Sequence, residues 1–276
     1  MIEYNKYFKS DDSDWLVFIH GAGGSSTIWF KQIKYFSKKY NVLLVDLRGH
    51  GKSNSFALKD LEIKKYSFPI IVNDVLEILD YEKIDSAHFA GISLGTIIIR
   101  QLSEEYPQRV KSMVLGGAII KFNIRSKILM KFGFIFKSLL PYMMLYKFFA
   151  FIIMPKANHK LSRNLFIREA QKIYRSEFIR WYRMTTNINP LLKLMRDKEL
   201  PIPTLYVMGE EDYMFLPAVR NFIAKHNLYS RLVVLKNCGH VVNIDRPDDF
   251  NKIVSDFLIS VIENKFSKSY KSESYF

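Results

Sequence analysis

Short apolar runs and longer stretches of helical periodicity alternate along this chain. Trp15–His20 and Val42–Asp46 are β-rich runs ending in glycine-bearing loops, and both read as strands buried on two faces, because neither alternates apolar with polar positions. Ala87–Gly91, Lys111–Gly116, Thr204–Gly209 and Arg231–Leu235 have the same character. Between most of them lie helical patterns, roughly Thr27–Tyr40, Ile70–Leu79, Gly95–Glu105, Ala218–Lys225 and Pro247–Glu263. Strand and helix in alternation predict βαβ units, hence an α/β fold with a mostly parallel sheet and helices on both faces.

The alternation stops between Ile119 and Pro201, a span that reads as helix throughout. Following a strand that ends in Gly116-Gly117, such a segment is expected over the carboxyl ends of the strands, where open α/β sheets bind ligands. The expected organisation is a core formed by residues 1–118 and 201–264, an inserted helical cap over 119–200, and a disordered tail over 265–276, where no periodicity remains. Phe132–Met154 is almost continuously apolar and raises the question of a membrane span. Lys137, Lys147 and the kink expected at Pro141 count against one.

Charge sharpens the picture of the insertion. The chain carries a net +14, and along 121–185 fourteen Lys and Arg face only Glu169 and Glu177. A basic excess can mean a nucleic-acid partner. Interleaved with Phe, Leu, Ile, Met and Tyr, it suits an anionic lipid surface better, so peripheral membrane contact is expected and nucleic acid is not. Cys238 is the lone cysteine, which excludes an internal disulfide and any Cys-rich metal site. No basic stretch followed by an apolar one opens the chain, so a cytoplasmic protein, peripheral at the membrane if the cap binds lipid, is the expectation.

The candidate chemistry centres on Gly91-Ile92-Ser93-Leu94-Gly95, a G-x-S-x-G sequence between a predicted strand and a predicted helix. That context turns a common pentapeptide into a nucleophile elbow: small residues two positions either side of Ser93 let strand and helix approach closely, and the helix aims its positive end at an oxyanion. A serine hydroxyl needs a base, and the base needs an orienting acid. Asn237-Cys238-Gly239-His240 follows the last strand and supplies the base. His20 and His50 precede glycines in tight turns, His88 lies inside a strand, and His159 and His226 lie in charged helical stretches, so each has a structural role as its simpler reading. The acid lies among Glu210, Glu211 and Asp212. Asp245 competes, but its place before Arg246-Pro247-Asp248-Asp249 fits a helix start. The Gly-rich His20–Gly24 loop frees backbone N–H groups, and the expected oxyanion donors are those of Ala22 and Leu94. No phosphate-cradling motif occurs, and neither cofactor nor metal is implied.

Four blocks together resemble the α/β-hydrolase superfamily: His20–Gly24, Asp46–Ser53, Gly91–Gly95, and Gly209–Asp212 with Gly239-His240. They stand in that family's order and cover the chain apart from the cap and tail. The resemblance implies an α/β-hydrolase fold, a triad of Ser93, His240 and Asp212, the last being the end of a Gly-x-x-Asp block, and a structural role near the site for Asp46–Ser53. One departure is the short segment before Trp15: only Ile2–Phe8 is available for the usual first hairpin, so one or both outer strands are expected to be missing. Ser rather than Asp as nucleophile argues against dehalogenase or epoxide-hydrolase chemistry. The expected activity is hydrolysis of a carboxylic ester, with a lipid-like ester such as a monoacylglycerol or lysophospholipid suggested by the cap. Carbon–carbon hydrolysis, iminopeptidase or cofactor-free lyase chemistry, or a membrane-associated binding role, are the alternatives.

Overall fold

The computed structural model describes residues 1–54, 65–136, 139–186, 188–266 and 273–276. Its core is one sheet built from β1 (Tyr4–Tyr7), β2 (Trp15–Ile19), β3 (Asn41–Val45), β4 (Ala87–Ile92), β5 (Val110–Gly116), β6 (Thr204–Gly209), β7 (Ser230–Leu235) and β8 (Glu273–Tyr275). The spatial order is β1-β3-β2-β4-β5-β6-β7-β8, and every pairing is parallel except that of β1 with β3. Consecutive residues of β2 show why its sequence is a solid apolar run. Leu16 and Phe18 pack on one face and Val17 and Ile19 on the other, so every position meets a helical layer.

One layer contains α1 (Phe30–Phe36) and, from the far end of the chain, the long helix Pro247–Ile262, with Phe36, Phe250, Val254 and Leu258 buried against the sheet. The opposite layer contains α2 (Phe68–Tyr81) and α3 (Leu94–Glu105), which bury Ile71, Val75, Ile97 and Ile98. Between β5 and β6 the described residues form five α-helices: α4 (Ile124–Phe136), α5 (Tyr142–Ile153), α6 (Lys160–Ala170), α7 (Arg175–Thr186) and α8 (Asn189–Asp197).

The apolar run over 132–154 is divided between α4 and α5, and among the described residues no helix is long and apolar enough to cross a membrane. Pro141 stands at the start of α5, where its missing N–H costs nothing, and does not kink a continuous helix. Lys137, also counted against a span, lies outside the described residues.

Two expectations at the chain ends are resolved. One outer strand is present before Trp15: β1 pairs antiparallel with β3, Tyr4 opposite Val45 and Tyr7 opposite Val42. The disordered tail is corrected at Glu273–Tyr275, which pair in parallel with β7, while 267–272 lie outside the described residues. The cause is backbone satisfaction at an open sheet edge. Phe276 N–H donates to Val234 O at 3.0 Å, and Lys236 N–H donates to Phe276 O at 2.9 Å. Such pairing needs no side-chain periodicity, so the sequence carries no sign of it.

The insertion is tied to the core by carboxylates that the charge count treats simply as counter-charges. Glu169 of α6 is buried and accepts from Ser25 Oγ at 2.8 Å and Lys172 Nζ at 2.8 Å. Glu177 of α7, fully buried, accepts from Tyr66 Oη and from Arg180 Nη1 at 2.8 Å. Trp181 Nε1 donates to Arg48 O at 2.9 Å, and Arg48 pairs with buried Asp74 at 2.6 Å.

Three buried histidines make stability depend on pH. Burial pushes His50 down to about 3 and His88 down to about 4, and drives His20 down as well. Each is neutral in the fold but takes a proton near pH 6.5 in the unfolded chain, so its stabilising effect is complete above that value and is lost as pH falls toward the depressed folded value. Each should lower stability by roughly 1.4 kcal/mol per pH unit below pH 6.5. Thermal melts between neutral pH and about pH 5 should show a falling Tm, with a shallower slope in His88→Asn. Equal slopes would remove His88 from this account.

Candidate active site

β4 runs directly into Ser93, whose φ of 54° and ψ of −119° place a side-chain-bearing residue in the left-handed region, a strain of about 1–3 kcal/mol. The surroundings hold it there. Ser93 N–H donates to Gly116 O at 3.0 Å, and Thr96 Oγ1 donates to Ser93 O at 2.6 Å. The flanking glycines are required by contact: a Cβ on Gly91 would lie 2.6 Å from Ile99 Cδ1, and one on Gly95 would strike the carbonyl oxygen of Ile19. The sequence spacing therefore reports how closely α3 crosses β2 and β4.

The loops after β6 and β7 bring Asp212 and His240 to Ser93. His240 Nδ1 is 2.7 Å from Asp212 Oδ2, and His240 Nε2 is 2.9 Å from Ser93 Oγ. Asp212 is 1% and His240 4% exposed. Asp212 Oδ1 also accepts from Phe215 N–H at 3.1 Å, which fixes the carboxylate, and the Phe215 ring packs 5.1 Å from the imidazole. A carboxylate only accepts, so Nδ1 carries hydrogen and donates to it, leaving Nε2 of a neutral ring to accept the Ser93 proton.

The neighbouring acids are engaged elsewhere. Glu211 accepts from Lys156 Nζ at 2.7 Å and Asn158 Nδ2 at 2.8 Å, and lies 2.7 Å from His159 Nε2. Although burial opposes it, these hydrogen bonds hold its carboxyl below the usual range. Asp245 Oδ2 accepts from Gly239 N–H at 3.0 Å, supporting the loop that carries His240, and Glu210 is exposed. His20 and His50 hold loop backbone: Leu47 N–H donates to His20 Nε2 and Gly23 N–H to His50 Nε2, each at 3.0 Å. His88 Nδ1 meets Ser112 Oγ at 2.7 Å. His159 is fully buried and joins the insertion to the Glu211 loop, a contact between residues 52 positions apart that no local pattern signals.

Ala22 and Leu94 both border the same cavity as Ser93 and His240. Among the described residues neither backbone N–H has a hydrogen-bond acceptor, whereas those of Gly23 and Gly24 are occupied. Leu94 is the first residue of α3, so its N–H belongs to the positive end of that helix.

That cavity, about 200 Å³, lies between the sheet and the insertion. Ile97, Phe149, Ile153, Phe166, Trp181 and Met214 represent its wall, with hydroxyls from Ser126, Ser162, Thr185, Tyr146 and Tyr182. Among the described residues, no Lys, Arg, Asp or Glu lines it. The sequence places the insertion near the site through topology alone. Which of its residues face inward becomes visible only once α4–α8 are packed.

Comparison with known proteins places this geometry within a known fold. A family model described as alpha/beta hydrolase fold matches residues 14–147. The chain is similar to 3-oxoadipate enol-lactonase 2 of Acinetobacter baylyi, 27% identical over 90% of this chain and 89% of that protein. It is also similar to the pimeloyl-[acyl-carrier protein] methyl ester esterase of Wigglesworthia glossinidia brevipalpis, 27% identical over 88% and 93% of the two chains. Among solved structures, an esterase of Exiguobacterium antarcticum superposes with a TM-score of 0.78 at 18% identity, covering 93% of this chain and 95% of that one. The matched segment, the near full-length relatives and the solved structure agree on one architecture, and this chain has the α/β-hydrolase fold.

Proposed function

We propose that the protein is a serine hydrolase that cleaves a carboxylic ester with a long apolar portion, such as a monoacylglycerol or lysophospholipid. Ser93 Oγ attacks the ester carbonyl while His240 Nε2 takes its proton, and Asp212 stabilises the resulting imidazolium. The oxyanion accepts from the N–H groups of Ala22 and Leu94. His240 returns the proton to the departing alcohol, then takes one from a water that attacks the acyl carbonyl and passes it to Ser93 Oγ as the acyl–oxygen bond breaks and the acid leaves.

The observation that carries the substrate class is the wall around Ser93, which is mostly aromatic and aliphatic and, among the described residues, holds no Lys, Arg, Asp or Glu. A substrate bearing a carboxylate would meet no cation there, and a peptide with a free amino terminus would meet no acid, so both would be desolvated without compensation. An acyl chain instead gains about 0.8 kcal/mol for each methylene buried. A series of p-nitrophenyl esters tests this: kcat/KM should rise by up to about fourfold per methylene until the cavity is filled. A profile that falls from acetate onward would overturn the lipid-like reading. Absence of ester turnover by protein whose Ser93 still reacts with a fluorophosphonate would overturn the ester itself in favour of another bond.

A further inference from the structure

The outer faces of α4 and α5 are built the wrong way round for helices facing water. Surface helices place polar residues outward and apolar ones toward the core. In α4, the stripe at spacings of three and four residues that faces solvent is Ile124, Ile128, Lys131 and Ile135, with Ile124 77% and Ile128 64% exposed. In α5 it is Met144, Lys147, Phe148 and Phe151, all exposed. Inward-facing residues of the same helices, Leu129, Tyr146, Phe149 and Ile153, line the cavity. Both helices are thus apolar on two sides, with the core and cavity covering only one.

The two outer stripes belong to one surface. Phe132, at the margin of the α4 stripe, packs its ring 5.0 Å from that of Phe148 in the α5 stripe. Leu139, in the short connection, is 74% exposed. Apolar side chains gathered on one surface in this way mark an interaction site, unlike scattered exposed residues.

The charges indicate what covers it. Lys127, Lys131 and Lys147 are exposed on or beside the stripes, and the Arg163 guanidinium lies 4.4 Å over the Phe151 ring. The two carboxylates present along 121–185, Glu169 and Glu177, are both buried against the core. The exposed charge of this segment is therefore cationic among the described residues, and its complement is an anionic partner. A nucleic-acid backbone would satisfy the lysines but leave isoleucine and phenylalanine in water. An anionic bilayer satisfies both, since apolar side chains enter the acyl boundary while lysine stems lie along it with their ammonium groups among the headgroups. Helices too short to span can still lie in that interface.

We infer that the outer face of α4 and α5 is a docking surface for an anionic lipid bilayer, with the cavity on the opposite side of the same two helices. The surface does not require Ser93 chemistry, so its test is separable from that of the proposed hydrolysis.

The test is co-sedimentation of the full chain with phosphatidylcholine vesicles with and without phosphatidylglycerol, for the unmodified protein, Ser93→Ala, Lys131→Glu/Lys147→Glu and Ile128→Asn/Met144→Asn. The unmodified protein and Ser93→Ala should partition equally onto phosphatidylglycerol vesicles and far less onto neutral ones. Each double variant should reduce partitioning about tenfold or more, while turnover of p-nitrophenyl butyrate in solution and the melting temperature stay close to those of the unmodified protein. The inference is overturned if the unmodified protein stays in the supernatant. It is equally overturned if the double variants bind as well as it does, or if the patch proves to be covered by a second copy, seen as a dimer that the apolar double variant dissociates without any vesicle binding.

Discussion

Ser93→Ala should lower kcat on every ester tested by roughly 10⁴- to 10⁶-fold while the protein stays folded. The size of the loss follows from the cooperation of the three side chains. Without Oγ there is nothing for His240 to deprotonate, and the two free N–H groups stabilise an oxyanion formed only by slow attack of water. The retained fold follows from the contacts. Ser93 is held by its backbone, through Gly116 O and Thr96, and among the described residues its hydroxyl meets only His240 Nε2, at the edge of the cavity. Alanine meets the same φ of 54° at a comparable cost, so a melting temperature within a few degrees of the unmodified protein is expected, together with loss of fluorophosphonate labelling. Turnover retained within about tenfold would mean that Ser93 is not the nucleophile.

How far the sequence reaches depends on whether an interaction is local. The strands are legible because burial on both faces leaves no polar position in Leu16–Ile19 or Val42–Val45, and the elbow because the glycines either side of Ser93 answer to a close crossing. The position of His240 after β7 is legible for the same reason: strand ends announce themselves. The acid is not fixed by residue pattern. Glu210, Glu211 and Asp212 are successive residues of one turn, and which of them faces His240 is set by turn geometry that a one-residue shift would change. Resemblance selects Asp212, and Asp212 is the residue 2.7 Å from His240 Nδ1. The contacts that seat the insertion are long-range, as with Ser25 and Glu169 or Tyr66 and Glu177, separated by 144 and 111 positions. Nothing near those residues distinguishes a carboxylate that docks a helix from one that balances surface charge. The pairing of Glu273–Tyr275 with β7 is hidden more completely, because a backbone ladder leaves no mark on the residue pattern.

Asp212→Asn should cost roughly 10⁴-fold in kcat with little change in KM, a loss of orientation and charge with the serine and the binding wall left intact. In the native chain the carboxylate accepts twice, from His240 Nδ1 and from Phe215 N–H, and both bonds are buried. An asparagine that keeps its oxygen on Phe215 N–H turns its amide donor toward His240. Nδ1 must then accept, Nε2 carries the hydrogen, and the ring points a donor at Ser93 Oγ where an acceptor is needed. The adjacent variant separates this role from general damage to the loop. Glu211→Gln keeps the tautomer of His240 but loses the charge that Lys156, Asn158 and His159 share, and should lower stability by about 1–3 kcal/mol with kcat changed only a few-fold. Side-by-side measurement of kcat and Tm therefore gives opposite signatures, activity lost at Asp212 and stability lost at Glu211. If Glu211→Gln loses as much kcat as Asp212→Asn at a temperature where both are folded, the acid has been assigned one residue too late in the chain.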